Sequence, residues 1–393
     1  QQATPATPAT THRRPQGQRI RDVEKIHNDE VKKRQQQWQE WIGVKSDPAA
    51  SRAHKWSKAH LPVDLPYAKH VEDYIFVPAE ADTVSSEAKK WGDFWKANPT
   101  GPADTIYLPD FVKVEQLMTG AELCTASRTF KKKTTSPDGV HPRHFGQISS
   151  RLANAMALLF SIIEVLGNAP KAKRAITMAI MQKPGGGTRT VGLYDAWIRC
   201  LQRHRKLLYQ KWLIRNDRGY WSSEASRGAQ RTAWRVNVRN EAAQVQKLHA
   251  ATVFWDLHKY FDTVDLERLY DKSITTDLPQ CSSILSIASY QWCRKLDVDG
   301  TVSDDIWPNR SIIAGSGPAC FETKALIIEE VDFHLVMNPD IIIEIHVDDV
   351  AQAAVGSSPD YVANIIHKSA SELRVAFREQ KLEIAFPKAF TMA

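Results

Sequence analysis

Thr252-Val-Phe-Trp-Asp-Leu-His-Lys-Tyr-Phe-Asp262 carries one carboxylate, Asp256, at the end of an apolar, aromatic run. Ile341-Ile-Ile-Glu-Ile-His-Val-Asp-Asp-Val350 carries two more, Asp348 and Asp349, at the end of a second such run. β-Branched and aromatic residues in short runs are the composition of buried strands. An apolar run, Asp-Asp, then a further apolar run reads as a hairpin with the acidic pair at its tip. Two acidic strand ends packed side by side repel each other unless cations lie between them. Mg²⁺ takes a few carboxylates plus substrate phosphates, so the pattern points to two-metal phosphoryl chemistry. Taken alone, Asp-Asp at a turn is also ordinary turn chemistry. The flanking segments decide between the two.

Lys133-Thr-Thr-Ser-Pro-Asp-Gly-Val-His-Pro142 and Met181-Gln-Lys-Pro-Gly-Gly-Gly-Thr-Arg-Thr190 precede the first acidic stretch. Ile312-Ile-Ala-Gly-Ser-Gly-Pro318 lies between the two, and Leu382-Glu-Ile-Ala-Phe-Pro-Lys388 follows them. These six segments, in this order over about 115–393, resemble the reverse transcriptase family, in its non-LTR retrotransposon and group II intron branch. The resemblance implies an α+β fold: right-hand polymerase fingers and palm, an antiparallel palm sheet packed on helices, and a helical N-terminal extension. It implies RNA-directed DNA synthesis, with nucleotidyl transfer from a dNTP to the 3′-hydroxyl of a DNA or RNA primer on an RNA template. The alternatives are a decayed, non-catalytic RNA-binding relative and an RNA-dependent RNA polymerase.

Roles follow from the same resemblance. Asp256, Asp348 and Asp349 become catalytic ligands of two Mg²⁺ ions, with Mn²⁺ as the substitute. Lys388 becomes the residue that protonates the leaving pyrophosphate. Lys183 and Arg189 flank a glycine turn that can fold over a triphosphate, which calls for both a point charge and a planar fork. Phe261, five residues after Asp256, sits where the family places a ring that leaves no room for a 2′-hydroxyl, which favours DNA synthesis. Gly315 lets backbone approach the nucleotide. Lys131, Lys132, Lys133 and Arg143 are expected on template phosphates, with Asp138 and Gly139 shaping a turn. Asp262 and Asp265 read as capping or structural residues. Three positions depart from the pattern: Thr190 replaces a proline, Ala314 a glutamine, and His346 an aromatic residue.

The bulk properties agree with a polyanionic partner. The net charge is +7, and residues 171–220 hold twelve Lys or Arg against two acidic residues, Asp195 and Asp217. Hydrophobic residues at 42% and charged ones at 25% are ordinary for a globular chain. No apolar run approaches the roughly 18–20 residues of a membrane span. The five cysteines have no CxxC spacing, so neither a zinc site nor a disulfide framework is indicated and a reducing compartment is expected. An intracellular protein follows, nuclear if the element is eukaryotic.

Along the chain, residues 1–18 repeat Ala-Thr-Pro, a low-complexity composition that does not build a core. A basic helical extension is expected over 19–110, the fingers over 111–220 and the palm over 221–393, with the thumb absent. Trp91 and Trp95 stand among basic residues and can either stack bases or fill a core. Helices are expected from 111 to 123, over 144–167, 221–249, 264–272, 279–294, 321–336 and 363–380. Strands are expected over 175–182, 188–193, 253–257 and 382–386, with the acidic hairpin over 341–355.

Overall fold

Antiparallel pairing of distant segments builds the sheet that carries the three acidic residues. The structure, a computed structural model, describes residues 81–98, 101, 114–183, 186–223, 228–385 and 389–392, together with Asp29, Lys32, Lys33 and Gln36. The chain divides into two units, Gln1–Asp64 and Leu65–Ala393. The four isolated residues are helical and belong to the first. The expected tail over 1–18 and most of the expected extension over 19–110 lie outside the described residues.

In chain order the described part of the second unit begins with α1 (Ala81–Phe94), α2 (Gly120–Arg128) and α3 (Ser150–Val165). Then come β1 (Ala175–Gln182), β2 (Thr188–Leu193), α4 (Ala196–Arg215), α5 (Ala229–Val245) and β3 (His249–Asp256). The short α6 (Tyr260–Thr263) leads to α7 (Leu266–Thr275), α8 (Gln280–Tyr290), β4 (Cys293–Val298) and β5 (Thr301–Val302). The remainder is α9 (Ala319–Met337), β6 (Ile341–His346), β7 (Asp349–Gly356), α10 (Pro359–Glu379) and β8 (Phe390–Met392).

Among the described residues the strands form two four-stranded sheets. One, ordered β6-β7-β3-β8, is antiparallel throughout. Its β7 is buried over Val350–Ala354 because helices cover one face and neighbours flank both edges. Helix α10 packs on β3 and β7 through Val362, Ile366, Ser369, Leu373 and Phe377, a three-and-four spacing that lines one helical face. The other sheet, ordered β2-β1-β4-β5, is mixed, since β1 pairs antiparallel with β2 but parallel with β4. The α+β class, with helices set beside an antiparallel sheet, is the one expected.

Local chemistry sets the helix starts. Thr119 and Glu122 form a capping box, the Glu122 carboxylate accepting from the Thr119 amide at 2.8 Å and the Thr119 hydroxyl from the Glu122 amide at 3.2 Å. The helix expected from 111 therefore starts only at Gly120, and 114–119 are irregular. Ser358 caps α10 and Asp265 caps α7 by single bonds, each side chain accepting from the amide three residues on. Arg205, on α4, makes a buried ion pair with Glu164 of α3, which also accepts from Ser282 of α8 at 2.6 Å. Each charge there is matched, so the pair ties three helices together without stranding a buried ion.

Other expectations shift. The helix expected over 221–249 begins at Ala229. The one over 279–294 stops at Tyr290, and β4 follows, completing the sheet begun by β1 from inside the interval expected as palm. The expected strand over 382–386 is a single bridge from Ile384 to Leu257, while the terminal strand is β8. Trp91 and Trp95 are fully buried and belong to the core.

Candidate functional site

Strand register brings the acidic residues to one corner of the antiparallel sheet. Asp256, the last residue of β3, lies directly opposite Asp349, the first of β7, and Asp349 in turn faces His346 of β6. Directly opposed residues share a face with Cβ atoms about 4.5–5.5 Å apart. Asp348 occupies the hairpin turn, and its carbonyl accepts from the Leu257 amide at 3.0 Å, which ties the turn to the residue after Asp256. On the opposite side, the Ala385 amide donates to the Asp256 carbonyl at 2.7 Å and the His258 amide to Glu383 at 2.7 Å. Asp256 and Asp348 are partly buried and Asp349 is exposed.

The turn itself is strained. Val347 has φ 61°, a left-handed conformation that is an outlier for a β-branched residue. Lys259, just beyond the acidic strand, has φ 49° and starts the one-turn helix that bears Phe261. The phenol of Tyr260 is buried, and its pKa is raised by that burial and by the Asp348 charge, so Asp348 lies beside this helix.

Carboxylate oxygens at this corner are the hard donors that Mg²⁺ or Mn²⁺ takes. Among the described residues, however, no group of three or more His, Cys, Asp or Glu side chains is gathered tightly enough to hold a metal ion. The backbone thus supplies the convergence and the donor type, without a closed ligand set.

The other expected residues fall into three groups. Phe261 packs against the core and its carbonyl accepts from the Ile312 amide at 2.7 Å, so it joins the acidic turn to the Gly315 loop. Lys183 and Arg189 stand at the base of the β1–β2 turn. The Lys183 amide donates to Gly187 at 3.0 Å, and Arg189, opposite Met181, is exposed. Lys183 is near enough to favour the charged form of Asp262, whose pKa burial raises. Lys131, Lys132 and Lys133 are exposed, whereas Arg143 is partly buried and donates to the Phe130 carbonyl at 3.1 Å. Lys388 lies outside the described residues.

No family model matches the chain, and no curated protein matches it. Among solved structures it is similar to apo telomerase from Candida tropicalis truncated from the C-terminal domain. That match has 13% identity over 68% of this chain and 59% of that one, at a TM-score of 0.41. Telomerase from the same organism in complex with a TWJ fragment of telomeric RNA is 12% identical over 56% of this chain and 41% of that one, at a TM-score of 0.42. Its apo form is 11% identical over 62% and 49%, at a TM-score of 0.41. The chain thus spans between 41% and 59% of the length of these structures.

Gly315 has a structural reason of its own. It has φ 109°, and a Cβ there would lie 2.6 Å from the Gly192 carbonyl of β2. A Cβ on Gly192 would in turn meet the Ile313 side chain at 2.1 Å, and the Gly192 amide donates to Ala314 at 2.7 Å. Two glycines let the loop lie against the strand. Asp138 likewise exceeds its expected turn role: besides accepting from Val140 at 3.1 Å, it accepts from the Ala196 amide at 3.1 Å, at the start of α4.

Several neighbours of the site were not legible beforehand. Arg199 and Arg203 sit over the Phe130 ring at 5.5 and 4.5 Å, extending the basic surface beside Lys131. Their helical spacing of four was the available signal. Trp95 donates to Asp262 at 3.1 Å, a contact across 167 positions that no local pattern announces. A cavity of about 500 Å³ lined by Leu208, Lys211, Ile214 and Pro279 contains none of the expected site residues.

Proposed function

We propose that this chain carries the fingers and palm of a retroelement-type RNA-directed DNA polymerase. What supports the reading most is the pairing of Asp256 with Asp349, with Asp348 in the strained turn bonded to Leu257. Two Mg²⁺ ions held by Asp256, Asp348 and Asp349 would neutralise phosphate charge and activate the primer hydroxyl. The chain's own residues do the rest. Lys183 and Arg189 bind the triphosphate, Phe261 excludes the 2′-hydroxyl by volume, and Lys388 holds a proton for the pyrophosphate. Lys131, Lys132, Lys133 and Arg143 bind RNA template phosphates, and a nuclear location follows if the element is eukaryotic.

Primer extension on an RNA template, titrated with Mg²⁺, tests the reading. Asp348→Asn should bring extension to background, because an amide cannot balance the cation charge. Phe261→Val should admit ribonucleotides while dNTP use survives. Binding of the template should weaken steeply with salt through counterion release. A second reading, a non-catalytic RNA-binding relative, is favoured by the lack of a gathered ligand set among the described residues. Salt-dependent RNA binding with no extension at any Mg²⁺ or Mn²⁺ concentration would decide for it.

A further inference from the structure

Helix α1 and the residue that follows it contact three segments that border the candidate site while contributing none of its expected residues. At its C-terminal end, Trp95 is fully buried and its indole N–H donates to Asp262 Oδ1 at 3.1 Å, next to Phe261. The same ring lies 4.3 Å from the guanidinium of buried Arg294, which donates to the Tyr290 carbonyl at 2.9 Å and Ser311 Oγ at 3.1 Å. The Trp95 carbonyl accepts from the Asn309 and Arg310 amides at 3.1 and 3.3 Å, at the entrance to the Gly315 loop.

One turn back, Lys259, in its left-handed conformation three residues after Asp256, places its ammonium 4.7 Å from Trp91 and 5.1 Å from Phe94. Such cation–ring contacts strengthen when water is excluded. Nearer the N-terminus, Lys90 donates to the Thr188 hydroxyl at 2.7 Å, and that hydroxyl donates to Glu87 at 3.0 Å. Thr188 immediately precedes Arg189. The helix and the Trp95 that follows it therefore join the hairpin base, the turn after the acidic strand and the entrance to the glycine loop.

We propose that α1 is the positioning element of the site and that Trp95, through Asp262, is the positioning residue that sets the attitude of Phe261 relative to the Arg189 hairpin. For its effect on sugar selection, this rests on the polymerase reading above. Its mechanical part does not. Asp262 is held by the indole N–H on one side, and the Phe261 carbonyl is held by Ile312 on the other. Releasing the first contact frees the short helix α6 to rotate its ring away from the sugar position, without touching Asp256 or Asp348.

Trp95→Phe tests this, since it keeps an aromatic ring beside Arg294 and removes the donor together with part of the indole's volume, which Asp262→Ala leaves in place. The expected result is about a tenfold loss of dNTP over rNTP discrimination, the factor that a net hydrogen bond of about 1.4 kcal/mol supplies. Template binding should be unchanged. Asp262→Asn, which retains an acceptor for the indole, should behave close to the parent. Asp262→Ala should mimic Trp95→Phe, and the double variant should be no worse than either, because both break one contact. Additive losses, or unchanged discrimination in an active enzyme, would overturn the proposal. Hydrogen exchange on the full chain supplies a readout independent of activity. Trp95→Phe should speed exchange at the Ile312 and Leu257 amides and leave those of β6 alone. If the parent extends no primer, the polymerase reading fails, and exchange still decides whether Trp95 positions the turn. Exchange unchanged at those amides would end the idea.

Discussion

Helix α9 packs against α7, α10 and β6, with opposite chemistry at its two ends. In its first turn, beside α8, buried Glu322 accepts from the Tyr290 hydroxyl, and burial pushes its carboxyl up to about 7. Its Oε1 has no hydrogen-bond partner among the described residues. In its last turn, behind the antiparallel sheet, buried His334 lies 2.7 Å from Ser369 Oγ and 3.3 Å from the Gln352 amide nitrogen. Gln352 also donates to Ser369. That pattern fits a neutral imidazole accepting at Nε2, since a proton there would face an amide donor, and burial lowers the His334 pKa. One support is a buried acid that resists losing its proton, and the other a buried base that resists gaining one. The two ends of the helix should therefore lose stabilisation in opposite pH directions.

The largest expected effect follows from that contrast. Folded Glu322 keeps its proton up to about 7, while the unfolded chain releases it near 4.5. Its stabilisation is full below 4.5 and lost as the pH rises through about 7. The loss is on the order of 3 kcal/mol. Glu322→Gln should remove this fall from denaturant-derived stability measured between pH 4 and 8. For His334 the sign reverses. The unfolded chain takes a proton near 6.5, above the folded value, so stability present above 6.5 is lost as the pH falls. His334→Gln should flatten only the acid side. Identical profiles for both variants would break the comparison.

The turns of the two hairpins differ as well. The β1–β2 turn reaches positive φ at Gly186 and Gly187, whereas the β6–β7 turn forces Val347 to 61°. Gly315→Ala, on the loop that meets β2, should cost about 2 kcal/mol in urea unfolding, because a left-handed backbone and a blocked Cβ act together. Gly187→Val should cost about 1–2 kcal/mol through the left-handed penalty alone. Val347→Gly should be the smallest change, within about 1 kcal/mol and stabilising, because relief of strain exceeds the entropy that glycine adds to the unfolded chain. A clear destabilisation would mean that packing of the Val347 side chain, rather than tolerated strain, holds the acidic turn.

The sequence by itself determined whatever rests on a few neighbouring residues. The β1–β2 hairpin could be read to its observed ends because its apolar strands flank a glycine turn. The acidic hairpin was legible for the same reason, as was the cap at Asp265. Only the tertiary structure decided the rest. Strand β4 pairs in parallel with β1 across more than a hundred residues, and Cys293–Val298 alone contains nothing to announce its partner. Trp91 and Trp95 had two readings in sequence, base stacking or core, because an aromatic ring serves either. What chose between them was Asp262 and Lys259, which are distant in the chain and adjacent in space. Gly315 was read as making room for the nucleotide, while the protein atom that a Cβ there would meet is the Gly192 carbonyl. Local conformational preference is written in the backbone of a segment. Close approach between segments exists only once the chain has closed its long loops and packed.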